Sequence, residues 1–291
     1  MSLVEQAIAR LKHQARASVA GSADVSANGT VPVPIAERLK DSASLAKQIT
    51  VDNTILRAGG YLPEQGQERQ FADQYRRIKR PLIDKAISGD APVAESRVIL
   101  VTSALPGEGK TFTSINLALS MALERDISVL LVDADVSKRR ISEIFELNQQ
   151  TGLLDALVDE KLDAESVIVP TTTRGLSILP AGRRVPNTAE LLSSNRMRKI
   201  VTSLNARNPR RILLVDSPPL LVTNEGRTLV KLAGQVILVV RAGQTPRQAV
   251  QAAEALFEPQ QAGGVVLNEV PASSTEGYYG YGSYGTDGAQ T

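Results

Sequence analysis

Cysteine and tryptophan are absent from the 291-residue chain, and histidine occurs once, as His13. Without cysteine, the chain can form no disulfide, iron–sulfur cluster or thiol nucleophile. A single histidine near the N-terminus argues against a zinc site built from imidazoles and against a Ser-His-Asp hydrolase. We therefore expect any catalytic metal to be a hard cation with oxygen ligands, such as Mg²⁺.

Long apolar runs are also missing. The longest, such as 98–101 and 236–240, are far shorter than the roughly 20 residues of a membrane-spanning helix. The N-terminus lacks the apolar stretch of a signal peptide. The net charge is +2, from 33 Lys and Arg against 31 Asp and Glu, which gives no support for a nucleic-acid partner. These observations predict a cytoplasmic protein.

The first sixty residues differ in character from the rest. Apolar residues from Leu3 to Leu11 recur at helical spacing among basic residues, which predicts a short amphipathic helix. This helix either docks on a partner or a membrane surface, or is a frayed terminal helix. Residues 17–34 have the composition of a linker. We expect an N-terminal extension over residues 1–60, ending at Gly59-Gly60.

A second helical pattern covers residues 67–86. Its apolar residues form a stripe at helical spacing, and we expect Arg76, Lys79 and Arg80 on the neighbouring surface. Pro81 should kink or interrupt this helix.

From Arg97 onward, short runs rich in Val, Ile and Leu alternate with helical patterns. Such runs are typical of strands buried on both faces of a parallel sheet. Their alternation with helices predicts a three-layer α/β sandwich with a mostly parallel central sheet. With the preceding helix, this domain covers residues 61–270. The predicted strands are 98–102, 129–132, 176–179, 212–215, 236–240 and 265–267, and the predicted helices lie near 111–124, 189–204 and 246–257.

The first predicted strand leads into a P-loop pattern, in which Ala104 replaces the first glycine. Gly107 and Gly109 allow successive backbone N–H groups to surround phosphates, and the following helix adds the positive end of its dipole. Lys110 would reach the β- and γ-phosphates, and the Thr111 hydroxyl would bind Mg²⁺. The expected nucleotide-binding residues are Pro106, Gly107, Glu108, Gly109, Lys110, Thr111 and Phe112.

Three aspartates end two other apolar strands. Asp133 and Asp135 follow residues 130–132, and Asp216 follows residues 213–215. Because ligands bind beyond the carboxyl ends of parallel strands, these carboxylates should gather beside the P-loop. Near a P-loop, metal binding and acid–base chemistry are better explanations for them than turn formation.

These motifs resemble the Walker A, A′ and B sequences of the bacterial tyrosine kinases, and a further segment resembles a stretch characteristic of that family. In that further segment, residues 186–194, we expect a helix capped by Asn187 or Thr188. The resemblance covers about residues 65–291 and points to free-standing kinases of exopolysaccharide loci, including exosortase-associated ones. The matching segments are 104–111, 129–135, 212–219 and 186–194.

The resemblance implies ATP and Mg²⁺ as cofactors and assigns roles to individual residues. Lys110 would neutralise charge on the γ-phosphoryl group, and Thr111, Asp135 and Asp216 would hold the metal. Asp133 would accept or orient the proton of a tyrosine phenol. Asn268, which ends the last predicted strand, matches a position that contacts adenine in related nucleotide-binding folds. The alternative for Asn268 is a strand-end turn former.

The C-terminal residues 271–291 contain four of the six tyrosines among Gly and Ser. Such a composition predicts a flexible tail. The resemblance implies that the tail is phosphorylated by a neighbouring subunit, and the alternative is a low-complexity tail without an acceptor role. The acceptors would be Tyr278, Tyr279, Tyr281 and Tyr284.

The resemblance also implies partners. These are an activating membrane protein of the polysaccharide co-polymerase type, further copies of the chain in a ring, and a cognate tyrosine phosphatase. Through the membrane protein, the kinase would lie peripheral to the inner membrane. The family's ring helix reads Glu-x-x-Arg-x-x-Arg, whereas this chain has Asp73, Arg76 and Lys79, which keep the charges but not the bidentate reach. Lys138 is a shifted equivalent of the basic residue that follows the Walker A′ aspartates.

Two other functions fit the P-loop. A positioning or partitioning ATPase of the ParA/MinD type would carry a second lysine five residues before Lys110, where this chain has Leu105. A scaffold that uses ATP only as a switch would leave the tail tyrosines unmodified.

Overall fold

The computed structural model describes residues 48–88 and 93–270. Within these ranges the chain forms seven strands and ten α-helices. The strands are β1 (Val98–Ser103), β2 (Ser128–Asp133), β3 (Val169–Pro170), β4 (Leu176–Leu179), β5 (Arg211–Asp216), β6 (Gln235–Arg241) and β7 (Ala262–Asn268). The helices are α1 (Asn53–Ala58), α2 (Glu68–Ser88), α3 (Val93–Ser96), α4 (Lys110–Ala122), α5 (Arg140–Ile144), α6 (Leu153–Val158), α7 (Thr188–Ser193), α8 (Asn195–Arg207), α9 (Asn224–Val230) and α10 (Arg247–Glu254).

All seven strands belong to one sheet in the order β3-β4-β2-β5-β1-β6-β7. Every pairing is parallel except β3–β4, which is antiparallel. The six predicted strands and the mostly parallel sheet are confirmed. Strand β3 was missed because two residues are too few to show a periodicity.

Apolar residues cover both faces of the sheet. In β1, Val98 and Leu100 belong to one buried cluster, whereas Ile99 and Val101 belong to another. Successive side chains of a strand point to opposite faces, so two clusters mean that helices cover both sides. This explains why the central strands β1, β2, β5 and β6 are rich in apolar residues, and it confirms the three-layer α/β sandwich.

Helix α2 departs from two expectations. It runs through Pro81 without interruption, because Tyr75, Leu82 and Ala86 on both sides of the proline pack into the same core cluster. The expectation of a surface position for Lys79 was wrong. That side chain is 5% exposed.

The buried ammonium group of Lys79 has two partners on and just after helix α4. It donates to the carbonyl oxygen of Ser120 at 2.6 Å and pairs with Glu124 at 2.8 Å. Burial of a lysine requires such partners, and the sequence does not reveal them because they lie about 40 residues away.

The predicted helix over residues 189–204 is two helices. Ser194 separates them with extended backbone angles, and its hydroxyl accepts a hydrogen bond from the N–H of Met197 at the start of α8. Asn187 occupies the N-cap position of α7, as expected, but its φ is 60° and its side chain makes no capping hydrogen bond. Thr188 is the first helical residue rather than the cap.

The segment before residue 61 contributes to the sheet domain, since Leu56 of α1 is buried in a core cluster. The hydrogen bond from the N–H of Ile49 to the carbonyl oxygen of Pro170 ties this segment to β3. None of the helices within the described ranges is long and apolar enough to cross a membrane. The predicted amphipathic helix, the linker and the tyrosine tail lie outside the described residues.

Candidate active site

The P-loop connects β1 to α4 at the carboxyl edge of the sheet. Gly107 and Gly109 have φ values of 83° and 90°, a conformation that glycine adopts without a steric penalty. A Cβ atom on Gly109 would lie 1.9 Å from Nδ2 of Asn268. The loop therefore requires glycine at position 109 for its backbone angles, and any side chain there would also have to displace the amide of Asn268.

Lys110 is the first residue of α4, and its side chain is only 5% exposed. Burial lowers the pKa of this ammonium group, and the nearby Asp216 and Asp135 carboxylates oppose that effect. A buried cation that faces carboxylates beside exposed backbone N–H groups is suited to an anionic ligand.

Thr111 and Asp216 are joined directly. The Thr111 hydroxyl donates to Oδ2 of Asp216 at 2.8 Å, and the Ser114 hydroxyl donates to Oδ1 at 2.8 Å. Asp216 is fully buried, and burial raises its pKa to about 7, with Lys110 acting in the opposite direction. Ser114 was not predicted as a site residue, although it lies one helical turn after Thr111, where a side chain shares the same face.

Asp133 lies opposite Asp216 in the register of β2 and β5 and has no exposed surface. Its Oδ2 atom accepts hydrogen bonds from the N–H and the hydroxyl of Ser142, at 2.8 and 2.6 Å. Burial raises the pKa of Asp133 to about 6. Its Oδ1 atom is buried without a hydrogen-bond partner in the described chain.

Ser142 is a second site residue that was not predicted from the sequence. It lies in the first turn of α5, where backbone N–H groups have no partner within the helix. Its hydroxyl accepts a hydrogen bond from the N–H of Ala181 at 2.9 Å while it donates to Asp133. Ser142 lies in the connection after β2, whereas Ala181 lies 39 residues further along the chain, after β4. The hydrogen bond between them therefore could not be predicted from the sequence.

Asp135 is buried in the loop after β2, and its backbone oxygen accepts from the N–H groups of Lys138 and Arg139. Of the basic residues that follow, Lys138 is exposed and Arg139 is buried. The guanidinium of Arg139 donates to the carbonyl oxygen of Asn148 at 2.8 Å. Lys138 lies close enough to Lys110 to contribute to lowering its pKa.

The remaining predicted nucleotide-binding residues have different surroundings. Pro106 is exposed at the loop, and the Phe112 ring packs edge-on against Phe71 at 5.5 Å between centroids. Nδ2 of Asn268 donates to the carbonyl oxygen of Glu108 at 3.2 Å. Thus Asn268 lies against the P-loop, and the side chain of Glu108 turns into the protein, where it is buried.

The donor set suits a nucleotide with a hard divalent ion. Asp216, Asp135 and Thr111 supply oxygen atoms, which Mg²⁺ prefers. Within the described ranges, no three His, Cys, Asp or Glu side chains converge closely enough to hold a metal by themselves. Oxygen atoms from the nucleotide and water would complete the shell, as is usual for Mg²⁺ at phosphate sites.

Comparisons with known proteins agree with this geometry. The AAA domain model matches residues 96–258. The chain is 32% identical to the tyrosine-protein kinase YwqD of Bacillus subtilis over 213 residues, which cover 72% of this chain and 86% of that protein. It is 31% identical to the tyrosine-protein kinase wzc of Salmonella typhimurium. That alignment covers 66% of this chain but only 26% of the wzc protein.

Among solved structures, the kinase domain of VpsO aligns with a TM-score of 0.54 at 29% identity. The alignment covers 68% of this chain and 98% of that domain. The residues matched by the AAA domain model include the P-loop and both acidic strand ends. Similarity of this extent to complete kinase domains favours a tyrosine kinase over a partitioning ATPase, and the family implies nucleotide binding at the P-loop. The chain belongs to the family of bacterial tyrosine kinases.

Proposed function

We propose that this protein is an ATP-dependent autokinase that phosphorylates the C-terminal tyrosines of a neighbouring subunit and thereby regulates exopolysaccharide polymerisation or export. The observation that carries the proposal is the state of Asp133. One of its carboxylate oxygens is fixed by Ser142, and the other is buried without a partner in the described chain. A carboxylate with one free oxygen beside a P-loop can receive a proton from a hydroxyl group that approaches the nucleotide.

The nucleotide, when bound with Mg²⁺, supplies an electrophilic γ-phosphoryl group. Lys110 and the N–H groups around Gly107 and Gly109 would neutralise the negative charge on its phosphates. Thr111, Asp135 and Asp216 would hold the metal. Because Asp216 already accepts a hydrogen bond from Thr111, the two residues are oriented before the metal binds.

Asp133 would accept the phenol proton at Oδ1. The pKa of an unperturbed tyrosine is about 10, so a phenol is a weak nucleophile near neutral pH without a base. The pKa of about 6 that burial gives to Asp133 leaves its carboxylate largely ionised at pH 7 and a stronger base than an ordinary aspartate. Ser142 would keep Oδ2 out of the reaction and leave Oδ1 as the accepting atom.

The acceptors in this proposal are Tyr278, Tyr279, Tyr281 and Tyr284, within a tail of residues 271–291 that follows the kinase domain of residues 61–270. Glycines between the tyrosines suit the entry of single phenols into a cleft. In the same proposal, Asn268 contacts the adenine with its side-chain oxygen, since Nδ2 is already bonded to Glu108.

The proposal includes three kinds of partner. An activating membrane protein of the co-polymerase type would recruit the kinase to the inner membrane. Further copies of the chain would supply acceptor tails, and a tyrosine phosphatase would reverse the modification. A ring contact through α2 would use Asp73 and Arg76, which are exposed and paired with each other at 2.6 Å. Lys79 would take no part, since its partners are internal.

The test is incubation of pure protein with Mg·ATP, with and without the cytoplasmic segment of the membrane partner, followed by mass spectrometry. Phosphate on the tail tyrosines is the expected result. Release of inorganic phosphate with an unmodified tail would instead identify a partitioning-type ATPase. Nucleotide binding with neither product would identify the ATP-switch scaffold.

A further inference from the structure

The side chain of Glu108 lies inside the protein, although its backbone belongs to the phosphate-binding loop. Both carboxylate oxygens have partners. Oε2 accepts a hydrogen bond from the N–H of Leu105 at 2.7 Å, and Oε1 accepts one from the hydroxyl of Thr245. The first contact closes the loop on itself, and the second ties it to the connection between β6 and α10.

The hydroxyl of Thr245 has a defined direction. It accepts a hydrogen bond from the N–H of Arg241 at 3.0 Å, which leaves its proton for Glu108. A hydroxyl has one proton to donate and can accept at the same time. Arg241 is the last residue of β6, so Thr245 links the end of that strand to Glu108 in the phosphate-binding loop.

The backbone of Glu108 has a second anchor. Its carbonyl oxygen accepts a hydrogen bond from Asn268, the last residue of β7. Two neighbouring strands, β6 and β7, thus hold the same loop residue by its side chain and by its backbone.

The loop needs such anchors because of its glycines. Gly107 and Gly109 flank Glu108, and glycine has more conformations to lose than any other residue. The N–H groups of a P-loop bind phosphate only when they converge on it. A residue that holds the loop in that shape before the ligand arrives reduces the entropy lost on binding.

We propose that Thr245 is a positioning residue for the phosphate-binding loop: by holding Glu108, it sets the affinity of the loop for nucleotide phosphates. This rests on nucleotide binding at the loop. It does not depend on the role of Asp133 or on the tail tyrosines.

The test compares Thr245→Val, which removes the hydroxyl at constant shape, with Thr245→Ser, which retains it. Thr228→Val is the matched control, because the Thr228 hydroxyl donates to the carbonyl oxygen of Asn224 within its own helix α9. Binding of a fluorescent ADP analogue should weaken about tenfold in Thr245→Val, because Glu108 loses the hydrogen bond that holds it and the Arg241 N–H loses its acceptor. Thr245→Ser and Thr228→Val should stay within about twofold of wild type.

Hydrogen exchange of the nucleotide-free protein provides a second measurement. The Leu105 amide should exchange faster in Thr245→Val than in Thr245→Ser, because its acceptor Glu108 is no longer held. Equal affinities of the two variants, or faster exchange at Leu105 without a loss of affinity, would overturn the proposal. If wild type binds no nucleotide at all, both the proposed function and the positioning role fail. Kinase inactivity with intact ADP binding would contradict only the function.

Discussion

Ser142 donates two hydrogen bonds to a single oxygen of Asp133, one from its N–H at 2.8 Å and one from its hydroxyl at 2.6 Å. The same hydroxyl accepts from the N–H of Ala181. The orientation of the proposed base is therefore fixed by a helix start and by the connection after β4. Helix α5 and the connection after β4 contribute no reacting group, yet they determine the orientation of Oδ1 of Asp133.

Replacement of Ser142 by alanine should slow tail phosphorylation about tenfold, because loss of one hydrogen bond to a charged group allows the carboxylate to turn. The affinity for ADP should not change, since Ser142 is bonded to the proposed base rather than to the P-loop. Initial rates and ADP titrations measure the two effects. Ser166→Ala is the control, as the Ser166 hydroxyl lies on the surface and bonds to the carbonyl oxygen of Asp163. Equal rates for both variants would contradict the positioning of Asp133 by Ser142.

Asp133→Asn should abolish phosphorylation and stabilise the nucleotide-free protein at alkaline pH. The pKa of Asp133 rises from 3.8 to about 6 on folding, so between roughly pH 4 and 6 the folded protein retains a proton that the unfolded chain has lost. The buried neutral carboxyl favours the folded state, and this contribution to the free energy of unfolding is lost as the pH rises through 6 and Asp133 ionises. Asparagine cannot ionise, so the variant should gain roughly 3 kcal/mol at pH 8 and little at pH 4.

Urea unfolding at the two pH values measures this gain. Asp155→Asn is the control with the opposite sign. Burial opposes ionisation of Asp155, but hydrogen bonds from Arg183 and Gly152 lower its pKa overall. Replacing this carboxylate by a neutral amide should therefore destabilise the protein at pH 8. A pH-independent difference between Asp133→Asn and wild type would contradict the raised pKa.

Lys110→Met should abolish phosphorylation and weaken ADP binding while the fold is retained. Methionine keeps much of the apolar stem and removes a buried cation, whose pKa is already lowered by burial, so the variant should unfold at a temperature close to that of wild type. Phosphotyrosine in this variant, purified without other kinases, would contradict the assignment of Lys110.

Lys79→Ala should lower the free energy of unfolding by about 2 kcal/mol, because it leaves the Ser120 carbonyl unbonded and removes a buried stem. Arg76→Ala should change it by less than about 0.5 kcal/mol, since the Arg76–Asp73 pair is exposed. Denaturant unfolding measures both changes, and light scattering measures assembly. A stable Lys79→Ala variant that has lost its oligomeric state would show that Lys79 acts between subunits instead.

Six of the seven strands in the described ranges were predictable because apolar residues predominate in the predicted runs, and the P-loop because its residues are contiguous. Short elements such as α5 and α6 were not, since five or six residues are less than two helical turns and carry little periodicity. The missed site residues share another feature. Ser142 reaches Asp133 from helix α5, and Thr245 reaches Glu108 from the connection after β6, so only the fold brings them together.

Lys79 shows the same limit for surface positions. Helical spacing places it beside Arg76, yet one side chain is buried and the other exposed, because α4 covers only part of α2. A pattern of charges predicts which residues share a helix face, but not how much of that face a neighbouring helix covers.

The close approach of Asn268 to Gly109 has an evolutionary consequence. Any side chain at position 109 would overlap the amide of Asn268 and would also meet an unfavourable φ. A smaller residue at 268 would relieve the overlap but not the backbone angle, so no single compensating change can rescue position 109. Among homologues, we therefore expect residue 268 to vary long before residue 109 does.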